Sequence, residues 1–125
     1  MLRSDARISR FIFQRNQLHA AQNAVGHRAF LPPRDNRLSV FGTNRLSEKS
    51  IWAIGRRIAS VRKQNLHARA DLAEDELPKH RLEAVRDEPP RRHRNIMGWP
   101  AHNQKDDIKL IAMELAAAAK LRLPI

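Results

Sequence analysis

The stretch Leu46–Leu72, LSEKSIWAIGRRIASVRKQNLHARADL, changes its period part-way along, and that change decides the fold class. Ser47 is a good helix N-cap, and Leu46 before it can pack on Ile51 as a hydrophobic staple. Ile51, Ile54, Ile58 and Val61 then recur at helical spacing, with Arg56, Arg57, Arg62 and Lys63 largely off that stripe. The pattern predicts a helix over 48–63. From Asn65 onward Leu66, Ala68, Ala70 and Leu72 alternate with His67, Arg69 and Asp71, the period of a half-buried strand.

Working outward, a second helix is expected over 104–120. Asn103 can cap it, Asp106 and Asp107 suit its first turn, and Ile108, Ile111, Leu115 and Ala119 form its stripe. Short strands are expected at Ile8–Phe13, with Phe11 and Phe13 on one face, at Leu38–Phe41, at Leu82–Val85 and in the alternating tail from Leu121. Gln14–Val25 has a short helical possibility that Gly26 ends. His27–Leu31 reads as extended, because Pro32-Pro33 follows it. With Arg34–Arg37 as the turn, the simplest arrangement is a hairpin pairing Arg28–Leu31 with Leu38–Phe41. Ala73–Leu77 reads as an acidic turn stopped by Pro78. Pro89–Arg94 reads as an exposed loop, and Gly98-Trp99-Pro100 as a turn in which Pro100 is a candidate for a cis bond. These elements make an α+β domain: a small, mainly antiparallel sheet packed with two principal helices, about 48–63 and 104–120, in one compact basic domain over 1–125.

Composition narrows the function classes. The 125 residues suffice for one core, and at 42% hydrophobic the chain is too apolar for wholesale disorder. With four Phe, two Trp and no Tyr, that core must be mainly aliphatic. The absence of cysteine excludes disulfides, thiolate metal sites and cysteine nucleophiles. The basic N-terminus lacks the apolar run of a secretory signal, and Ile108–Leu121 is too short and too charged to span a bilayer, so a cytoplasmic location without membrane contact is expected. There is no Walker loop, dinucleotide fingerprint or nucleophile elbow, and no cofactor is expected.

Charge is the most informative global feature. The net charge is +11, and it is unevenly placed: Met1–Leu66 carries 13 Lys and Arg against three acids, whereas His67–Ile125 carries 11 against 10. Eighteen of the 24 basic residues are Arg, which binds phosphate in bidentate fashion and stacks on bases. The leading expectation is a small nucleic-acid-associated protein, RNA favoured over DNA, using Arg10, Arg15, Arg28, Arg34, Arg37, Arg45, Arg56 and Arg57. The bland alternative is charge for solubility.

Two further readings stay open. A metal-independent ribonuclease or nucleotide-handling toxin-like enzyme needs a histidine base, an acid and a cation. His19, His27 and Arg28, or His67 and Arg69, supply those types. A protein-interaction module with an acidic partner would present Trp99 beside Arg91, Arg92 and Arg94. The six histidines include no pair at the spacing of a helical metal site, and no metal is expected.

Overall fold

A computed structural model describes residues 6–19 and 24–124. In chain order the strands and helices are β1 (Arg7–Ile12), β2 (Leu18–His19), β3 (Ala24–Val25), β4 (Leu38–Gly42), α1 (Glu48–Arg62), β5 (Ala68–Ala73), β6 (Glu83–Arg86), β7 (His93–Met97), α2 (Lys105–Ala118) and β8 (Lys120–Arg122). Six strands form one sheet in the order β6-β7-β4-β1-β5-β8. Every neighbouring pair in it is antiparallel, and β2 and β3 form a separate small ribbon. The expected α+β class is therefore what the chain adopts, with two helices close to the expected bounds.

The central pairing is β1 with β5, continuous from Arg7↔Ala73 to Ile12↔Ala68. On its other side β1 pairs with β4 over only Ile8↔Gly42 and Ser9↔Phe41. Because β4 and β5 both run antiparallel to β1, they run parallel to each other, and α1 is the crossover that joins them. Strand alternation then sends Ile8 and Ile12 to one face of the sheet and Phe11 to the other. The first face packs with Phe30, Ala112 and Leu115 of the α2 layer, and the second with Ile51, Ile54 and Ile58 of α1.

Local chemistry explains the helix ends. Ser47 Oγ accepts from the Ser50 amide at 3.1 Å, and Leu46 packs in the same cluster as Ile51. Lys63 closes α1 in the left-handed region (φ 55°), and the Gln64 amide donates to the Ala59 carbonyl. The cap of α2 is Gln104 rather than Asn103, and its side chain makes no capping bond, so Asp106 and Asp107 are what favour this end electrostatically.

Four expectations are corrected. The hairpin of Arg28–Leu31 with Leu38–Phe41 does not form: His27–Phe30 is a 3-10 turn and β4 pairs with β1 and β7. Ala29 and Phe30 are adjacent and both buried, which a turn permits and a one-faced strand does not. The loop expected at Pro89–Arg94 becomes strand at His93, because its polar groups are satisfied internally. His93 Nε2 shares a hydrogen bond with Ser39 Oγ at 2.7 Å, and Asn95 Nδ2 donates to Asp87 Oδ2 at 2.8 Å. The helical possibility at Gln14–Val25 reduces to a 3-10 turn at Arg15–Gln17 and the β2–β3 ribbon, with residues 20–23 outside the described part. The cis bonds lie at Glu88–Pro89 and Pro89–Pro90, not at Pro100.

Candidate nucleic-acid interface

The fold places the eight expected phosphate-binding arginines in three kinds of surroundings. Arg10 is the exception to exposure. The β1–β4 ladder stops at Ser9, and the Arg10 guanidinium there donates from Nε to the Ala29 carbonyl at 2.9 Å and from Nη1 to the Ser39 carbonyl at 2.8 Å. Burial, together with the nearby Arg62, pushes its pKa down to about 10. Its donors already tie the turn 27–30 to β4, so in this structure Arg10 is a brace. Arg15, Arg28, Arg34, Arg37 and Arg45 are exposed on the turns that flank β1, β4 and α1.

Arg56 and Arg57 project from the outer face of α1, as the apolar stripe requires. Arg57 meets Arg91 and Arg92, from the segment between β6 and β7, across a groove of about 650 Å³. The floor is apolar, made by Phe41, Leu46, Ile54 and Ile58, and Pro89 and Pro90 form one wall. Arg92 Nη1 donates to the Gly42 carbonyl at 3.3 Å, which aims this side chain along the end of β4. Glu88 lies beside this rim, accepting from the Arg92 amide at 3.2 Å and lying 3.6 Å from Arg86.

Among the described residues, no Lys or Arg from Arg7 to Lys63 lies within ion-pair distance of a carboxylate. The ion pairs are made by Arg69, Lys79, Arg86, Arg94 and Arg122, with His80 and His93 each 3.6 Å from an acid. Among the described residues, the excess positive charge of the first half of the sequence is thus left without ion-pair partners.

The enzyme candidates separate. Arg69 is fully buried under α1, where Nε and Nη2 grip both oxygens of Asp71 at 2.9 Å and Nη2 also reaches Glu48 at 2.8 Å. Burial works against its charge, but the hydrogen bonds it donates to Asp71 and Glu48, with their charges, outweigh it and hold the pKa above the ordinary value. Its guanidinium carbon lies 4.8 Å from the Trp52 ring centroid. It is not available to a substrate beside His67. His27, in contrast, lines a separate cleft with His19 and Lys109. Burial first, then Lys109, Arg28 and His19, hold its pKa below the ordinary histidine value.

Of the residues expected at a protein-partner surface, Arg91 and Arg92 line the groove. Arg94 instead pairs with Glu74 at 2.9 Å. Trp99 is buried with its Nε1 donating to the Ile96 carbonyl at 2.9 Å, so it closes the core. Among the described residues, no group of three or more His, Asp or Glu is arranged to hold a metal ion, and no helix is long and apolar enough to cross a membrane. No protein-family model, curated protein or solved structure matches this chain.

Proposed function

We propose that this protein binds single-stranded nucleic acid, RNA first among the candidates, along the groove between α1 and the segment 89–92. The reading is carried by the convergence of Arg57, Arg91 and Arg92, none paired with an acid among the described residues, over a floor of Phe41, Leu46, Ile54 and Ile58. A polyanion with apolar faces suits such a groove: phosphates meet the guanidinium groups while base or sugar surfaces cover the floor. The exposed Lys49, Arg56, Arg62 and Lys63 extend the same field along α1.

Fluorescence anisotropy with labelled oligouridylate tests it. Three phosphate contacts predict a slope of about −2 in log affinity against log salt. Arg57→Glu/Arg91→Glu should weaken binding at least about tenfold at low salt, since each reversal replaces attraction by repulsion. Both side chains are exposed, so the far-ultraviolet circular dichroism should not change. Binding that is insensitive to salt, or unchanged in the double variant, overturns the proposal. Binding of an acidic protein in its place points the groove to that partner.

A further inference from the structure

The sheet sets two like charges opposite each other where its α2-side core ends. Leu38 and Ile96 face each other within that core, and Val40 and Arg94 form the next pair on the same face. On the far side of β7, Arg86 of β6 stands directly opposite Arg94. Two guanidinium groups across a ladder repel each other. Arg91 and Arg92 come round the end of the sheet, so that four arginines line one hollow of about 330 Å³, together with Gly42 and Glu88. Arg91 and Arg92 also line the α1 groove, whereas Arg86 and Arg94 do not.

Two of these side chains are held in place. Gly42 lets the Arg94 guanidinium lie against the β4 backbone, since a Cβ there would stand 3.1 Å from Cζ and Nη2 and 3.2 Å from Nε. Arg94 Nη1 donates to Glu74 at 2.9 Å, and Arg92 Nη1 donates to the Gly42 carbonyl at 3.3 Å. Both side chains keep the Nε–Nη2 edge without a hydrogen bond among the described residues. That edge is the one that grips two oxygens of a single phosphate. Arg92 also holds φ 71°, a left-handed backbone that is costly for a residue other than glycine and recurs at ligand clamps.

Two acids answer this charge: Glu74 on Arg94, and Glu88, which lies 3.6 Å from Arg86 and accepts from the Arg92 amide. Four arginines against two carboxylates leave two positive charges, the complement of one phosphate dianion. We propose that this hollow is a phosphate-dianion site, on the sheet face opposite the groove floor, for the phosphomonoester of a small compound or of a strand end. It rests on Arg86 and Arg94 and stands whether or not the groove binds nucleic acid.

Proton–nitrogen NMR of the arginine Nε–H groups, on the whole chain in chloride at constant ionic strength, tests the proposal. The probes are inorganic phosphate, 5′-phosphorylated tetrauridylate and the same tetranucleotide with a 5′-hydroxyl. A phosphorylated probe should shift Arg94 and Arg92 saturably, and more tightly than the 5′-hydroxyl chain does. Response to inorganic phosphate assigns the hollow to small phosphate compounds, and response to the phosphorylated chain alone assigns it to a strand end. Arg86→Glu places an acid in the hollow and should weaken the response at least about tenfold, and its side chain is too exposed to disturb the fold. Gly42→Ala keeps every charge but displaces the Arg94 guanidinium, and should weaken the response about threefold. Arg57→Gln should weaken oligouridylate binding in the groove and leave the response to inorganic phosphate unchanged, so the two sites fail separately. No saturable shift with either phosphorylated probe, equal affinity for the 5′-hydroxyl chain, or an undiminished response in both Arg86→Glu and Gly42→Ala overturns the assignment.

Discussion

Beneath α2 the sheet presents Ile8, Ile12, Leu38, Val40, Ala70 and Leu72, an aliphatic surface that the helix covers with Ile108, Ala112 and Leu115. Beneath α1 the same strands, at comparable depth, present Ser9, Thr43, Arg69 and Asp71, none more than 6% exposed. The second set is wired in one direction. Ser9 Oγ donates its only proton to Asp71 Oδ1 at 2.6 Å, so in the 2.7 Å contact with Thr43 it is Thr43 that donates. Arg7 Nε donates in turn to Thr43 Oγ1 at 3.2 Å. The α2 layer is held by shape, which tolerates many side chains; the α1 layer adds to its Phe11, Phe41 and Ile51 cluster a set of donors and acceptors, which tolerate few.

The largest expected effect tests that contrast directly. Arg69→Met removes the cation that Asp71 and Glu48 face, leaving the buried Asp71 carboxylate with Ser9 and the more distant, half-exposed Arg122. Such losses run at about 3–5 kcal/mol. Leu115→Met, equally buried on the other side, conserves volume and should lose less than about 1.5 kcal/mol. Urea unfolding midpoints measure both. The double variant Arg69→Met/Asp71→Leu should recover much of the single loss, because apolar side chains can replace a buried ion pair. Equal losses from Arg69→Met and Leu115→Met would remove the distinction between the two layers.

A smaller effect tests how closely α1 sits on β1. A Cβ at Gly55 would come within 2.7 Å of Phe11 Cε1 and 3.0 Å of Leu66 Cδ2. Gly55→Ala gains about 1 kcal/mol in helix propensity but forces a buried ring to move, an overpacking term of about 1–3 kcal/mol. The net expectation is a loss of about 1 kcal/mol by the same measurement. A stabilised variant would show that the Phe11 ring gives way freely.

The same two layers show how much the sequence makes legible. Helix α1 announces itself through Ser47, Leu46 and a four-residue apolar stripe, all local features, and the alternation at 66–72 reveals β5. What alternation cannot reveal is that the polar side of β5 is also covered. Arg69 and Asp71 read as solvent-facing because Glu48, the second carboxylate on Arg69, lies 21 residues from it in sequence, and Ser9, which donates to Asp71, lies 62 residues away. Strand β7 is hidden for a similar reason: Arg94 looks like a loop residue until Glu74 is placed beside it. The groove follows suit, since Arg57 and Arg91 belong to segments with no shared local pattern. In the cleft, His19 and His27 are near in sequence, but Lys109 arrives from the far end of the chain.

The smallest expected effect separates the two layers by acidity. On the α1 side, the hydrogen bond from Arg69, and then its charge with those of Arg122 and Arg7, hold the Glu48 carboxyl below its ordinary value. The unfolded chain therefore takes up that proton first, so the Glu48 contribution is present above the ordinary carboxylate range and is lost as pH falls below about 4.3. On the α2 side His27 is also held low, by burial and then by Lys109, Arg28 and His19. There the unfolded chain protonates near pH 6.5 while the folded one resists, so stability begins to fall about two pH units earlier. Both slopes have the same sign but occupy different windows. His27→Gln should flatten the dependence of the urea midpoint on pH in the upper window only, and Glu48→Gln in the lower window only. If either substitution flattens both windows, the two faces titrate as one unit and the sheet does not insulate them.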